Sequence, residues 1–157
     1  MKVLVLSDSH GSLGNMCEAV EKQNPDAVIH LGDFFRDAED LASAYETPEY
    51  YRVSGNCDYG FGMKKSLTVT LGGVRMFLTH GHLYDVKHEL ESLHRQAQLA
   101  GAQIALFGHT HRPLVEFRSG IWLMNPGTCG PFSNTSYGLI TIQNGSFSCE
   151  ILPCDVE

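Results

Sequence analysis

Residues 2–10 read Lys2-Val3-Leu4-Val5-Leu6-Ser7-Asp8-Ser9-His10. Val3 to Leu6 form a short apolar run, partly β-branched, that stops at Ser7-Asp8. A buried strand opening into a polar loop is the natural reading. Asp8 and His10 stand two apart, and on an extended segment both side chains can point the same way. The same grammar recurs along the chain. Ala27–Leu31 stops at Gly32-Asp33, Tyr50–Val53 at Ser54-Gly55-Asn56, Val74–Thr79 at His80-Gly81-His82, and Ile104–Phe107 at Gly108-His109-Thr110-His111.

The segments between these runs set the fold class. Leu13, Met16, Cys17 and Val20 recur at helical spacing, so the pattern predicts an amphipathic helix over about 13–23, ended by Asn24-Pro25-Asp26. A polar helix follows over about 37–45. Leu67–Leu71 and Val74–Thr79 flank Gly72-Gly73 and read as a hairpin. Val86, Leu90, Leu93, Ala97 and Ala100 predict one long helix closed by Gly101. Hairpin-like strands follow at about 114–118, 121–124, 137–143 and 146–151. The front half alternates strand and helix, which builds a parallel sheet, and the β-rich tail is expected to add a second sheet. The expectation is an α/β four-layer sandwich: two mixed β-sheets face to face, flanked by α-helices, in a single domain over 1–157.

Composition narrows the function classes. The chain has 157 residues, 43% hydrophobic and 18% charged, which excludes a disordered or coiled-coil chain. Its formal net charge of −7 repels phosphate backbones at long range, so non-specific nucleic-acid binding is not expected. A bound metal cluster could reverse that sign locally. No apolar run approaches the ~18 residues a membrane span needs. The apolar stretch at the N-terminus is too short for the core of a signal peptide. The five cysteines include no CxxC pair and read as reduced thiols of a cytoplasmic protein.

Eight histidines is a high count for this length. Four of them, His10, His80, His109 and His111, fall at strand ends with Asp8, Asp33 and Asn56. In open α/β sheets the working crevice lies outside the carboxyl ends of the strands. A Gly beside a ligand leaves room for close approach. Imidazole, carboxylate and amide without thiolate suit Mn, Fe, Zn, Co or Ni and are poor for Ca or Cu(I). The ligand count exceeds what one ion takes from protein, and two ions sharing a carboxylate fit it.

The ordered string Asp8-x-His10, Gly32-Asp33, Gly55-Asn56-x-Asp58, His80, Gly108-His109-x-His111 resembles the calcineurin-like metallophosphoesterase superfamily. The short length and the local sequences GNCD, THGH and GHTHRP are similar to its small YfcE-like phosphodiesterase branch. The resemblance runs from Lys2 to about Pro131. It implies that Asp8, His10 and His111 hold one metal, that Asn56, His80 and His109 hold a second, and that Asp33 bridges them. It also implies two divalent ions per chain, Mn²⁺ foremost, and a metal-bridging hydroxide as nucleophile on a small phosphodiester.

Two positions depart from the superfamily pattern. Many members carry His after the Asn of the GN motif, and here Cys57 stands, a weak hydrogen-bond donor. The small branch itself often has Cys at this position. His82, two residues past His80, is the candidate to supply part of the missing function. Asp58 is expected to orient a ligand or its loop. After Asn125-Pro126-Gly127-Thr128, where a basic residue often follows, Pro131-Phe132 stands instead, and Arg112 is a candidate substitute.

The remaining notable residues have plainer readings. His30, between Ile29 and Leu31, suits the core or a place behind the ligands. His88 and His94 are expected in solvent, and Cys17 in the core. Cys57 reads as a small spacer rather than a nucleophile. Asp37, Glu39 and Asp40 read as a solvated acidic face, with Asp37 the closest to the crevice. Phe34 and Phe35 could shape the substrate entrance or pack on a second subunit. Apolar hairpins in the second half leave a sheet edge able to pair, so a homodimer or higher homo-oligomer is open. Beside the phosphodiesterase stand two rival readings. One is a catalytically weak or inactive scaffold of the same fold, such as the retromer subunit that resembles these enzymes. The other is a phosphomonoesterase, which would need more positive charge to hold a dianion.

Overall fold

The computed structural model describes residues 1–60 and 62–154; the end of the expected 1–157 unit lies outside them. The first sheet has the order β10-β9-β1-β2-β3 and the second the order β4-β5-β6-β8-β7. In chain order the strands are β1 Lys2–Leu6, β2 Ala27–His30, β3 Glu49–Arg52, β4 Ser66–Leu71, β5 Val74–Thr79, β6 Ile104–Leu106, β7 Leu114–Arg118, β8 Ile121–Asn125, β9 Ser136–Gln143 and β10 Ser146–Pro153. The helices are α1 Gly14–Gln23, α2 Phe35–Ala44 and α3 Glu91–Leu99.

Strand periodicity explains the layers. Val3 and Val5 of β1 face the inter-sheet core with Ile29, Met76, Leu78, Ile104, Leu106 and Ile140. Leu4 and Leu6 face the other way and pack with Met16, Val20 and Leu41 of the two front helices. On the far side of the second sheet, Phe77 and Ala105 pack under Leu93 and Ala97 of α3. Alternate residues thus feed different layers, and both faces of the central strands are apolar because both are covered. Two mixed sheets flanked by helices give the four-layer sandwich expected from the pattern.

Two details differ from the sequence expectation. The final hairpin does not extend the second sheet. β9 pairs antiparallel with β1 (Val3 opposite Ile140, Val5 opposite Gly138), and β10 closes that edge. β9 is buried along almost its whole length, so only an interior place between β1 and β10 satisfies it. The long helix from Val86 is also shorter. A single 3₁₀ turn covers His82–Tyr84, and α3 begins at Glu91. Asp85 takes a left-handed φ of 54°, and the Glu89 carboxylate accepts the N–H groups of Glu91 and Ser92, capping the helix there. Val86 and Leu90 still pack on the α3 cluster, which is why their spacing looked helical.

β1, β2 and β3 run parallel, and β5 and β6 run parallel, so their outgoing loops collect at one edge of the sandwich. Backbone hydrogen bonds tie those loops together. Asp8 N donates to Gly32 O at 2.9 Å, His10 N to Asp33 O at 3.3 Å, and Gly108 N to His80 O at 2.8 Å.

Candidate metal centre

The side chains singled out at the strand ends meet at this edge. Asp8, Asp33 and His80 are each at least 97% buried, a costly place for two carboxylates and an imidazole. Asp8, His10 and His111 offer ligand atoms that all lie within 4.8 Å of one another, and so do Asp8, Asp33 and His80. Asp8 Oδ1 lies 3.3 Å from His111 Nε2, 3.7 Å from His80 Nε2 and 4.0 Å from His10 Nε2. Asp33 Oδ2 lies 3.4 Å from His80 Nε2 and 3.8 Å from His10 Nε2. His109 Nδ1 stands 3.2 Å from His80 Nε2.

The backbone is bent to aim these groups. Asp8, His10, Asp33, His109 and His111 all have φ between 46° and 69°, the left-handed region that L side chains rarely occupy. Five such residues at one site mark strain held by its surroundings. Ser7 Oγ and the His109 N–H both donate to Asp8 Oδ2. The Cys57 N–H donates to Asp33 Oδ1. Glycine supplies clearance at two points: a Cβ on Gly55 would lie 2.1 Å from Asp33 Oδ1, and one on Gly108 would lie 2.7 Å from Asp8 Oδ2.

Two buried polar atoms here, Asp8 Oδ1 and His10 Nε2, have no hydrogen-bond partner. They are aimed into a cluster of nitrogen and oxygen donors. An orphaned carboxylate oxygen and an orphaned imidazole nitrogen facing each other at 4.0 Å are what a divalent cation between them would satisfy. The donor set therefore fits divalent metal ions.

The electrostatics agree with that fit. Burial alone would raise the Asp33 pKa, but hydrogen bonding and charge from His80 and the Cys57 N–H hold it well below the usual carboxylate range. Burial would lower His80, yet its hydrogen bond to Asp33 and the charges of Asp8 and Asp33 push it up. Burial, then repulsion from His80, lowers His109. Asp33 is thus held ionised, which supplies negative charge at the centre.

The other expected residues stand around this core. Asn56 is exposed, its amide 3.7 Å from Cys57 Sγ. Asp58 accepts the N–H groups of Asp33, Phe35 and Gly55, and so holds the Asp33 loop against the Asn56 loop. Cys57 Sγ is within 4.8 Å of ligand atoms of His10 and Asp33, and burial together with Asp33 raises its pKa, keeping it a thiol. His82 lies beside the centre, its ring 5.5 Å from His80 and 6.2 Å from His109. Its Nδ1 has no partner, and burial, then His80, lowers its pKa. Phe34 and Phe132, both exposed, flank His10 with ring centroids at 5.4 and 5.5 Å. Arg112 is exposed and lines a cavity of about 340 Å³ with Lys87, Phe107 and Thr110.

Two readings of the sequence change, those of Asp37 and His94. Asp37 is not on a solvated face: it is buried and accepts hydrogen bonds from Ser9 Oγ and the Gly11 N–H. His94 is half-buried, with Nε2 donating to Arg118 O, because α3 lies over the β7–β8 turn. His88 is exposed as expected but pairs with Asp85 at 2.6 Å. Residues that the spacing did not single out also build the site. Thr128 Oγ1 donates to Asp8 O, and Asn125 Nδ2 donates to Gly108 O and Thr110 Oγ1. The Asn125-Pro126-Gly127-Thr128 turn thus braces two ligand loops, a role only its turn chemistry could have signalled.

Comparison with known proteins follows the same line. The model of the calcineurin-like phosphoesterase superfamily domain matches residues 1–145. The probable metallophosphoesterase YsnB of Bacillus subtilis is 33% identical over 151 residues, covering 92% of this chain and 86% of its own. The phosphodiesterase YfcE of Escherichia coli K12 is 30% identical over 152 residues, covering 82% of this chain and 79% of its own. A crystal structure of a predicted phosphoesterase from Streptococcus pneumoniae superposes with a TM-score of 0.81 at 30% identity, over 99% of this chain and 91% of the other. The chain belongs to the calcineurin-like phosphoesterase superfamily, in the small branch that contains YfcE, and by that membership is a phosphoric ester hydrolase.

Proposed function

We propose that this chain is a metal-dependent phosphodiesterase acting on a small phosphodiester at a centre of two divalent ions. Asp8, His10 and His111 would hold one ion, Asn56, His80 and His109 the other, and Asp33 would serve both. The resemblance puts Mn²⁺ first, and the mixed donor set also suits Zn, Fe, Ni and Co. The observation that carries the reading is the pair of unpartnered buried atoms, Asp8 Oδ1 and His10 Nε2, within a cluster of carboxylates and imidazoles. When bound, the ions supply Lewis-acid activation of the attacking water and offset charge on the phosphoryl oxygens.

The protein's own groups do the rest. His80 donates from Nδ1 to the Leu31 carbonyl, which leaves Nε2, facing Asp33 and His109, as the nitrogen that would bind an ion once its proton is displaced. His82, whose ring lies 5.5 Å from that of His80 and 6.2 Å from that of His109, would hold or give a proton at the leaving oxygen. Cys57 remains a thiol and fills the position beside Asn56 without acting as nucleophile. Phe34 and Phe132 form an apolar rim at His10, which favours a monoanionic diester carrying an organic group over a dianionic monoester.

Two further features complete the reading. The five cysteines are free, and among the described residues no helix is long and apolar enough to cross a membrane. We place the protein in a reducing cytoplasm, working as one domain over 1–157 without non-specific nucleic-acid binding. The test is hydrolysis of bis(p-nitrophenyl) phosphate and p-nitrophenyl phosphate by metal-stripped protein reloaded with Mn²⁺, Ni²⁺, Zn²⁺ or Mg²⁺. The expected result is metal-dependent cleavage of the diester over the monoester, lost in Asp33→Asn. No turnover with any metal, despite tightly bound ions, would sink the enzyme reading in favour of a scaffold.

A further inference from the structure

Three buried polar side chains lie just behind the ligands and take no part in holding an ion: Ser9, His30 and Asp37, at 0%, 1% and 5% exposure. They form one directed chain of hydrogen bonds. Ser9 Oγ donates to Asp37 Oδ2 at 2.6 Å, so it can only accept at its 2.9 Å contact with His30 Nε2. That fixes the His30 proton on Nε2. His30 Nδ1 is then the acceptor for the Gly32 N–H at 3.1 Å. Asp37 Oδ2 also accepts the Gly11 N–H at 2.7 Å. Every donor in the chain has one acceptor, and the order of protons is determined.

The placement of this chain is specific. Ser9 stands between Asp8 and His10, and Gly11 follows His10, so both neighbours of His10 are tied to one carboxylate on α2. Asp8 and His10 themselves have φ of 56° and 46°. Such conformations persist only when the surroundings over-determine them. At the other end, Gly32 precedes Asp33, and its amide is held by His30. A buried carboxylate, hydroxyl and imidazole are a poor choice for stability alone, since apolar side chains of similar volume would do as well.

We propose that Asp37, through Ser9 and His30, is the positioning residue that aims Asp8 and His10 at one ion. This inference rests on the two-ion reading above. It places the control of one metal site in α2, outside every motif that carries a ligand. Removing a link of the chain leaves all seven ligand side chains in place but frees the β1 loop to relax toward ordinary backbone angles. The ion held by Asp8, His10 and His111 then loses affinity, while the ion at His80 and His109 does not.

The experiment is a titration of metal-free protein with Mn²⁺, read by the electron paramagnetic resonance of free and bound ion and of the coupled pair. Wild type, Asp37→Asn, Ser9→Ala, His30→Gln and Ser9→Thr are compared, with thermal midpoints taken in parallel. The expected result is two ions per wild-type chain. In Asp37→Asn and Ser9→Ala one ion keeps its affinity and the other weakens about 10–100-fold, the usual effect of removing a group behind the ligands. His30→Gln, which also frees Gly32 beside the shared Asp33, weakens both unequally. The coupled-pair signal then vanishes at low Mn²⁺ and returns in Ser9→Thr. Two sites of unchanged affinity in folded variants overturn the inference, as does equal weakening of both. If Asp37→Asn does not fold, Ser9→Ala, which removes a single oxygen, decides alone. Wild type that binds no Mn²⁺ overturns the two-ion reading instead, and is recognised before any variant is compared.

Discussion

His80 Nδ1 lies 2.8 Å from the carbonyl oxygen of Leu31, the last apolar residue before Gly32-Asp33. The contact joins the two sheets of the sandwich at the candidate centre, since His80 follows β5 and Leu31 follows β2. It also fixes the imidazole tautomer that exposes Nε2 to the donor cluster. His80→Ala therefore removes an ion ligand and leaves a buried carbonyl unpaired. The expected outcome is loss of bound metal by elemental analysis and of diester turnover, with about 1–3 kcal/mol of folding stability lost in metal-free protein by urea titration.

His82 can be separated from His80 by the leaving group. An alkoxide needs a proton as it departs, whereas p-nitrophenolate leaves unaided. His82→Ala is expected to slow an alkyl diester by about 10²–10⁴-fold and to spare bis(p-nitrophenyl) phosphate. Because burial lowers the His82 pKa, the proton-donating form is the minority at neutral pH. Turnover of the alkyl ester should rise as pH falls toward the His82 pKa, and this limb should be missing in the variant's pH–rate profile.

Gly55 tests the packing around Asp33. An added Cβ would sit 2.1 Å from Asp33 Oδ1 and 2.8 Å from the Asp33 backbone nitrogen, a clash that displaces both the carboxylate and its loop. Gly55→Ala should cost at least about 10-fold in Mn²⁺ affinity by calorimetric titration. Gly14, whose Cβ would meet nothing within 4 Å, serves as the control. Gly14→Ala should leave metal affinity at the wild-type value.

Burial holds the His30 pKa at about 4, against 6.5 for a free imidazole. The folded state therefore keeps His30 neutral while the unfolded chain takes up a proton. This contribution to stability is fully present above pH 6.5 and is lost as pH falls from about 6.5 to about 4. Denaturant titrations of metal-free protein across this range should show the decline, and His30→Gln should flatten it. A variant with the same pH slope as wild type would contradict the assignment.

Much of the fold could be read from local pattern. Val3–Leu6 and Ile104–Leu106 are apolar on both faces because helices cover both sheets, so their runs stood out at once. Asp8, His10, Asp33, His80, His109 and His111 were legible because each ends such a run. Asn56 followed the same rule and stands exposed beside Cys57. Asp37 misled because its neighbours Glu39 and Asp40 are exposed and share its chemistry. Only Ser9 and Gly11, distant in sequence, distinguish it. Val86 and Leu90 misled because two residues four apart can reach one apolar cluster from a turn as well as from a helix.

The sequence by itself determined which elements form, which family they resemble and which residues stand at strand ends, because hydrophobic periodicity and turn chemistry are local properties. Tertiary structure decided how these ends meet. The pairing of β9 with β1, the Leu31–His80 bond across the sheets and the Ser9 contacts to His30 and Asp37 all join residues more than 20 positions apart. Such contacts depend on sheet order and on the burial of polar groups that must find partners. No local pattern carries that information, because a carboxylate becomes a ligand or a strut only when the fold chooses what it faces.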